Sequence, residues 1–469
     1  MSLPTLSVKR TIEACCPSAL KPALARIEAS DIGYRLAKGT FWTVAGGVIS
    51  RGLGILASVV VARTLGKGSF GELGIINSTV GLFQVFAGFG LGLTATKYVA
   101  EYRTSNPQKA GRIISLGWMV SAVTGGLCAI LLATFAPWLA AHALAAPHLS
   151  GLLRVASIAL LISSLNAAQN GALSGFEAFK TIAGRSLIAG VLNFPIMIAG
   201  VLLDGLQGAV WATVVSCAIN WFICHLAVRR EAQRYRVPLT FTGCWEEAPL
   251  LWKFSLPAVL SGIMVTPVTW ACSALLVNQP NGYDEMGIFS AANQWYTLVL
   301  FLPSMLGTVV LPILAERLGQ KEIGQSRKLL ALTMKVNAIL VLPVVLVAGV
   351  ASPYIMGLYG ADFKSGWPTL IVVLLTAGVL AIQTPVGQII AASGKMWTGF
   401  LMNLGWALVF VFATLVSTGF GSLGLASARA AAYLVHAIWV LIFARVITST
   451  SCSTITLRCD AGLDGGTAL

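Results

Sequence analysis

Runs of apolar residues recur along the chain from residue 40 to residue 444, and short polar segments separate them. Each run holds about 20 residues, the length that a helix needs to cross the hydrocarbon core of a bilayer while satisfying its own backbone hydrogen bonds. The pattern predicts about twelve transmembrane helices and therefore an all-α polytopic membrane protein. The predicted spans are residues 40–62, 73–96, 113–135, 152–173, 186–203, 208–227, 255–277, 289–314, 331–352, 367–390, 398–417 and 424–444.

Composition supports a membrane protein, and the distribution of charge sets its orientation. Of the 469 residues, 57% are hydrophobic and only 10% are charged, whereas soluble domains hold about 25% charged residues. The formal net charge of +14 is compatible with a nucleic-acid partner. However, 24 of the 31 Lys and Arg fall on one side of the predicted membrane, three fall on the other side and four lie within spans. The positive-inside rule therefore places both termini in the cytoplasm and accounts for the basic excess without nucleic acid.

The two halves of the chain resemble each other weakly. The second predicted helix begins with Glu-Leu-Gly-Ile at 72–75, and the eighth begins with Glu-Met-Gly-Ile at 285–288, an offset of 213. Six spans per repeat give both halves the same orientation, so we expect two six-helix bundles related by a pseudo-twofold axis along the membrane normal. The predicted divisions are a cytoplasmic N-terminal segment (1–39), the first bundle (40–227), a cytoplasmic linker (228–254), the second bundle (255–444) and a cytoplasmic tail (445–469).

Polar and small residues form stripes on the first two helices of each half. Spacings of three and four residues put the members of a stripe on one helical face. Small-residue packing with hydrogen bonds between helices is one interpretation. Four stripes at repeat-related places favour a water-filled cavity between the halves, whose wall Gln383 and Gly387 on the tenth helix would complete. The stripes are Thr40, Thr43, Gly47, Arg51, Gly54 and Ser58; Asn77, Gly81, Gln84, Gly88 and Gly92; Ser255, Gly262, Thr266, Thr269 and Ser273; and Ser290, Gln294, Thr297, Ser304 and Thr308.

Arg51 is the central candidate for substrate binding. It lies near the middle of the span 40–62, where an arginine costs about 2.5–3.5 kcal/mol on insertion scales and snorkelling is hardest. It needs either a hydrated cavity, where it would contact an anion, or satisfaction by carbonyl groups and Gln side chains. All 17 Asp and Glu lie outside the predicted spans or at their edges. An interior with cations and without anions indicates an anionic substrate.

Six further residues complete the predicted substrate site. Most carry amides or hydroxyls suited to binding sugars, and Arg154 lies near the external end of the fourth helix, where snorkelling is the alternative explanation. We predict no catalytic residue, cofactor or metal, because the sequence holds no Walker-type phosphate loop and no metal-ligand pattern around its cysteines. The six residues are Asn77, Gln84, Gln294, Thr297, Gln383 and Arg154.

Short motifs in a fixed order carry a family resemblance. They are Arg51; Ala-Arg-Thr-Leu-Gly at 62–66 with Phe-Gly at 70–71; Gly-Phe-Gly-Leu-Gly at 88–92; Tyr-Val-Ala-Glu at 98–101; Phe-Ser-Leu-Pro at 254–257; and Leu-Tyr-Gly at 358–360 with Phe363. Over residues 36–445 the chain resembles the polysaccharide (O-antigen or lipid-linked oligosaccharide) flippases of the multidrug/oligosaccharidyl-lipid/polysaccharide exporter superfamily. The resemblance implies transfer of an undecaprenyl-pyrophosphate-linked oligosaccharide across the bacterial inner membrane. Membrane lipids and other polysaccharide-assembly proteins would be its partners.

Several alternatives remain open at the level of sequence. A multidrug exporter of the same superfamily would favour cationic drugs and should carry a buried carboxylate in the first half, which the spans lack. A flippase for cell-wall lipid precursors usually has two further helices. A membrane-embedded glycosyltransferase or polymerase typically needs acidic residues at a membrane face or a long external loop. A pure scaffold would leave the polar stripes without a purpose.

Overall fold

The computed structural model describes residues 31–88, 90–250, 263–307, 310, 314, 323–392 and 396–460. Within these ranges the regular structure is helical throughout, and no strand occurs. The all-α prediction is therefore confirmed. The main helices are α1 (Asp31–Gly88), α2 (Leu91–Tyr102), α3 (Pro107–Trp138), α4 (Ser150–Gly175), α5 (Phe179–Arg234), α6 (Val265–Val277), α7 (Gly282–Val299), α8 (Ile323–Val350), α9 (Ser352–Tyr359), α10 (Trp367–Ala392), α11 (Met396–Ser417) and α12 (Gly421–Asp460).

Within the described ranges, seven helical segments are apolar and long enough to cross a membrane. Three of them, at 46–88, 179–234 and 397–443, have 43, 56 and 47 residues. At 1.5 Å per residue, each of these three is roughly two to three times as long as the ~30 Å hydrocarbon core is thick. Helix α6 is a shorter apolar helix, and the residues that precede it in the predicted span 255–277 lie partly outside the described ranges.

Backbone breaks divide α1 and α5 where the sequence predicts loops between spans. Gly66 in α1 has φ 76° and ψ 174°. In α5 the break falls at Asp204 and Gly205, and Gly205 has φ 49°. Positive φ values cost little for glycine because it has no Cβ atom. Each break therefore separates two of the predicted spans inside one long helical segment.

Three local features differ from the predicted spans. The predicted span 73–96 is interrupted at Gly90, which adopts φ 63° before α2 begins. Helix α5 begins at Phe179, about two turns before the predicted start at residue 186. Helix α9 is a short additional helix whose Ile355, Met356 and Tyr359 are buried. Hydropathy detects none of the three, because each depends on glycine conformation or on packing rather than on apolar length.

The two halves pack tightly along α1 and α7. An added Cβ atom at Gly71 would overlap the carbonyl oxygen of Tyr283, and one at Gly287 would overlap the carbonyl oxygen of Lys67. Beside this contact, the ring centroid of Phe70 lies 6.4 Å from that of Tyr359 and 5.9 Å from that of Phe363. Small residues that let helix backbones approach are the usual basis of helix packing in membranes.

Candidate functional site

A cavity of about 800 Å³ lies between the two halves. Helices α1 and α5 supply its N-terminal wall, and α6 and α7 supply its C-terminal wall. Phe70, Leu73, Met286 and Phe289 are among its apolar lining residues. The polar side chains that line it are Ser50, Ser58, Asn77, Ser78, Arg185, Ser186, Asn193, Thr213, Ser216, Asn220, Thr269, Ser273, Ser290, Asn293 and Gln294.

Arg185 is the cation among the described lining residues. It lies in the second turn of α5, which packs closely against α1: an added Cβ at Gly46 would meet the carbonyl oxygen of Ala183, and one at Gly190 would meet Ser50. This packing sets Arg185 beside residues well inside the predicted span 40–62. Its Nη1 donates a hydrogen bond to Asn220 Oδ1 at 2.7 Å. No Asp or Glu is among the described lining residues.

A hydrogen-bond network joins the halves at the cavity wall. Gln294 Nε2 of α7 donates to Ser58 Oγ of α1. The Tyr359 hydroxyl donates to Gln294 Oε1 at 3.5 Å and accepts a hydrogen bond from Trp295 Nε1 at 3.2 Å. Gln294 therefore uses both the nitrogen and the oxygen of its side-chain amide to connect the N-terminal half to the aromatic cluster around Tyr359.

The structure brings two of the seven predicted site residues, Asn77 and Gln294, together on the cavity wall. Arg51 is half-buried and is not among the described residues that line the cavity. Its guanidinium carbon lies 4.5 Å from the ring centroid of Phe301, a cation–π contact between the two halves. Ser50, its chain neighbour, does line the cavity, because consecutive residues of a helix point about 100° apart.

The remaining predicted residues lie elsewhere. Gln84 has a buried Oε1 atom without a partner among the described residues. Thr297 is exposed and donates to the backbone carbonyl of Asn293 at 3.0 Å. Arg154 is exposed. None of the three is among the described lining residues of the central cavity.

Gln383 and Gly387 line a different cavity from the predicted one. This second cavity, of about 290 Å³, lies among α10, α11 and α12, and Asn403 and His436 also line it. Gln383 is 4% exposed, and neither of its side-chain polar atoms has a partner among the described residues. The reason for the difference is that α10 packs against helices of its own half.

Sequence reasoning missed Arg185, Asn220 and Arg429 as site residues. Arg185 falls one residue before the predicted span 186–203, because a charge ends a window of high hydropathy although the helix extends to Phe179. Arg429, which lies near the start of the predicted span 424–444, is 4% exposed. Its Nη1 donates to the lining residue Asn293 at 2.8 Å. Asparagines inside apolar runs, such as Asn220 and Asn293, were the available signal.

Comparisons with known proteins agree with this architecture. The family model described as polysaccharide biosynthesis protein matches residues 36–317. The EPS I polysaccharide export inner membrane protein EpsE of Ralstonia solanacearum is 25% identical over 82% of this chain and 88% of its own length. The lipid III flippase of Escherichia coli (strain K12) is 24% identical over 86% of this chain and 96% of its own length. Among solved structures, the lipid II flippase MurJ in an inward closed conformation has a TM-score of 0.66 and 17% identity, and the match covers 91% of this chain and 93% of that chain.

Proposed function

Since the chain belongs to the polysaccharide biosynthesis protein family, we propose that it moves a lipid-linked oligosaccharide from the cytoplasmic to the outer leaflet of the bacterial inner membrane. The chain is a multi-pass membrane transporter of polysaccharide biosynthesis and not an enzyme. The relatives named for polysaccharide export and for lipid III flipping support this substrate class. An undecaprenyl-pyrophosphate carrier is the finer part of the proposal.

The observation that carries the proposal is a cavity lined by a cation, amides and hydroxyls without a described carboxylate. Sugar hydroxyls and diphosphate oxygens lose water on entering hydrocarbon, and that loss is costly unless new hydrogen bonds replace it. The polar wall offers those hydrogen bonds, while the lipid tail stays in the bilayer. Arg185 would attract the diphosphate through charge-assisted hydrogen bonds. An exporter of cationic drugs fits this wall poorly, because Arg185 would repel its substrate.

The proposed architecture is two six-helix bundles that open alternately to the two sides. Helices α1 and α5 would each contribute two spans to the first bundle, and α11 and α12 would be the last two spans of the second. The cavity between α1–α5 and α6–α7 would be the path of the headgroup. With both termini in the cytoplasm, the breaks at Gly66 and Asp204 would lie on the external side.

Contacts between the halves cluster near the break at Gly66 in α1 and the start of α7, and we propose that they close the external end of the cavity. Arg63 Nε donates to the Leu358 carbonyl at 2.6 Å, and Lys67 Nζ lies 3.6 Å from Asp284 Oδ2. The Tyr283 hydroxyl donates to the Leu144 carbonyl at 2.7 Å. In this assignment the conformation is the one that receives substrate from the cytoplasm.

The membrane potential can favour the outward direction. It contributes about 2.3 kcal/mol per elementary charge per 100 mV, and an interior-negative potential moves an anion outward. Transport of an anionic headgroup would then proceed without a coupling carboxylate in the cavity wall.

The proposal is tested in a bacterium that lacks its own flippase for a lipid-linked oligosaccharide. Expression of this chain should make the radiolabelled oligosaccharide accessible to a hydrolase added outside spheroplasts. A strain with the empty vector should keep it inaccessible. If the oligosaccharide stays inaccessible although the protein reaches the membrane at normal abundance, the proposed substrate is wrong.

A further inference from the structure

Two asparagines on the cavity wall, Asn220 and Asn293, are each held by an arginine. Arg185 Nη1 donates to Asn220 Oδ1 at 2.7 Å, and Arg429 Nη1 donates to Asn293 Oδ1 at 2.8 Å. The first pair lies within α5, in the N-terminal half, and the second joins α7 to α12, in the C-terminal half. Asn220 and Asn293 both line the central cavity. The two walls of the cavity thus carry the same arrangement.

Each arginine fixes the orientation of its asparagine. A guanidinium group carries only hydrogen-bond donors, so the amide must turn its Oδ1 atom toward it. The Nδ2 donors of Asn220 and Asn293 then point away from the arginines, and no described residue accepts a hydrogen bond from them. Both donors are left for a ligand in the cavity.

Arg429 is the more unusual member of the set. It is 4% exposed, and its Nε and Nη2 atoms have no partner among the described residues. Its guanidinium carbon lies 4.4 Å from the ring centroid of Tyr296 and 4.9 Å from that of Phe289. None of the described ion pairs includes Arg429. A buried charge without a carboxylate carries a large desolvation penalty. Ionisable residues kept inside membrane proteins at such a cost are by default candidates for function.

We propose that the two Arg–Asn pairs line both walls of the cavity with hydrogen-bond donors, and that these donors bind a diphosphate or a similar oxygen-rich anion. Arg185 and the Nδ2 atoms of Asn220 and Asn293 contact the anion. Arg429 is a positioning residue that acts through Asn293. Diphosphate oxygens are acceptors, so a wall of fixed donors matches them, whereas a cationic ligand finds no acceptor at these positions. The identification of this anion as part of a transported lipid-linked oligosaccharide rests on the proposed function, whereas the binding of an anion at these residues does not.

The test uses inorganic pyrophosphate as the probe and the purified full-length protein in detergent. Isothermal titration at fixed ionic strength compares the wild type with Asn220→Asp, Asn293→Asp and Arg429→Gln. Aspartate has nearly the shape of asparagine and still accepts a hydrogen bond from the arginine, so thermal stability should be unchanged or raised. It replaces the Nδ2 donor by an acceptor, so the Kd for pyrophosphate should rise at least tenfold. Arg429→Gln should give a smaller rise, because the amide of Asn293 becomes free to turn.

Asn281→Asp is the matched control. Asn281 is exposed at the N-terminus of α7 and is not among the described residues that line the cavity. Its added charge lies in solvent outside the cavity, where water screens it, so the Kd should change less than threefold. An unchanged Kd in Asn293→Asp, an equal loss in Asn281→Asp, or no pyrophosphate binding by the wild type would each overturn the proposal. Pyrophosphate binding with the predicted pattern, but no transfer of lipid-linked oligosaccharide, would instead reject the proposed function and leave this site intact.

Discussion

Arg185 is the cation among the described residues that line the central cavity, and its position depends on the start of α5 at Phe179. Arg185→Ala should lower glycan export roughly ten- to a hundredfold, because a hydrogen bond to a charged group contributes about 1.5–3 kcal/mol. Arg185→Lys should keep part of the activity, because lysine retains the positive charge but lacks the planar guanidinium that forms paired hydrogen bonds. Surface glycan per unit of membrane protein is the measurement. Arg154→Ala, an exposed arginine outside the cavity, is the control and should export normally. Equal export by Arg185→Ala and Arg154→Ala would remove Arg185 from the mechanism.

Arg51 remains a predicted functional residue, although its guanidinium lies over Phe301 rather than on the cavity wall. Arg51→Ala is expected to abolish glycan export while leaving protein abundance near normal. Phe301→Leu removes the ring and leaves the guanidinium, so it should reduce export much less if Arg51 acts by contacting an anion in another conformation. Export and immunoblotting are measured together. If Phe301→Leu is as damaging as Arg51→Ala, or if both proteins disappear, the contact between Arg51 and Phe301 is structural.

The residues of the site show what the sequence could and could not reveal. Polar residues inside apolar runs are visible in sequence, and Asn77 and Gln294, which they predict as site residues, line the cavity. Which neighbour on a helix faces the cavity is decided by helices distant in sequence. Ser50 lines the cavity and Arg51 does not, because α1 is rotated by its packing against residues such as Ala183 of α5. Arg429 reaches the site through Asn293, 136 residues away, which no local pattern encodes.

Among the secondary-structure elements, α1 and α7 form the closest contact between the halves. Gly71→Ala should open the external end, because the added Cβ overlaps the Tyr283 carbonyl oxygen. In a cysteine-free background, a cysteine at Asn77 on the cavity wall should then react faster with a membrane-impermeant maleimide added outside. Gly81→Ala, on the same helix, is the control and should leave the rate unchanged, because no atom of a described neighbour lies within 4 Å of an added Cβ there. The same rate in Gly71→Ala and Gly81→Ala would show that this contact does not close the external end.

The elements were predictable to the extent that the bilayer imposes a length on the sequence. An apolar run of about 20 residues is a local property, so the spans around α3, α4, α8 and α10 were found from hydropathy. The break at Gly90 and the short helix α9 were not found. Gly90 needs a left-handed backbone, and α9 is held by buried residues such as Tyr359 rather than by apolar length.

For the whole molecule, the distribution of Lys and Arg predicts the orientation in the membrane. Single cysteines at Pro107, Leu239 and Gln320 should react with an impermeant reagent only from the cytoplasm. Those at Asn281 and Ala361 should react only from outside. The physical reason for this orientation is that Lys and Arg near the ends of the spans are retained on the cytoplasmic side. Right-side-out vesicles expose the external side of the membrane to the reagent, and inverted vesicles expose the cytoplasmic side. Reaction of position 281 only from the cytoplasmic side would reverse the orientation, and with it the assignment of the closed end.

The central claim is that this protein transfers a lipid-linked oligosaccharide between leaflets, and reconstitution measures that transfer directly. The purified protein is placed in liposomes with a fluorescent diphosphate-linked oligosaccharide lipid, and an impermeant quencher reports the fraction of label in the outer leaflet. In liposomes with the wild type, label from the inner leaflet should become quenchable within the assay, whereas protein-free liposomes and Arg185→Ala should retain a protected inner-leaflet fraction. A protected fraction that persists with folded wild-type protein, or that is lost equally with Arg185→Ala, would contradict the account.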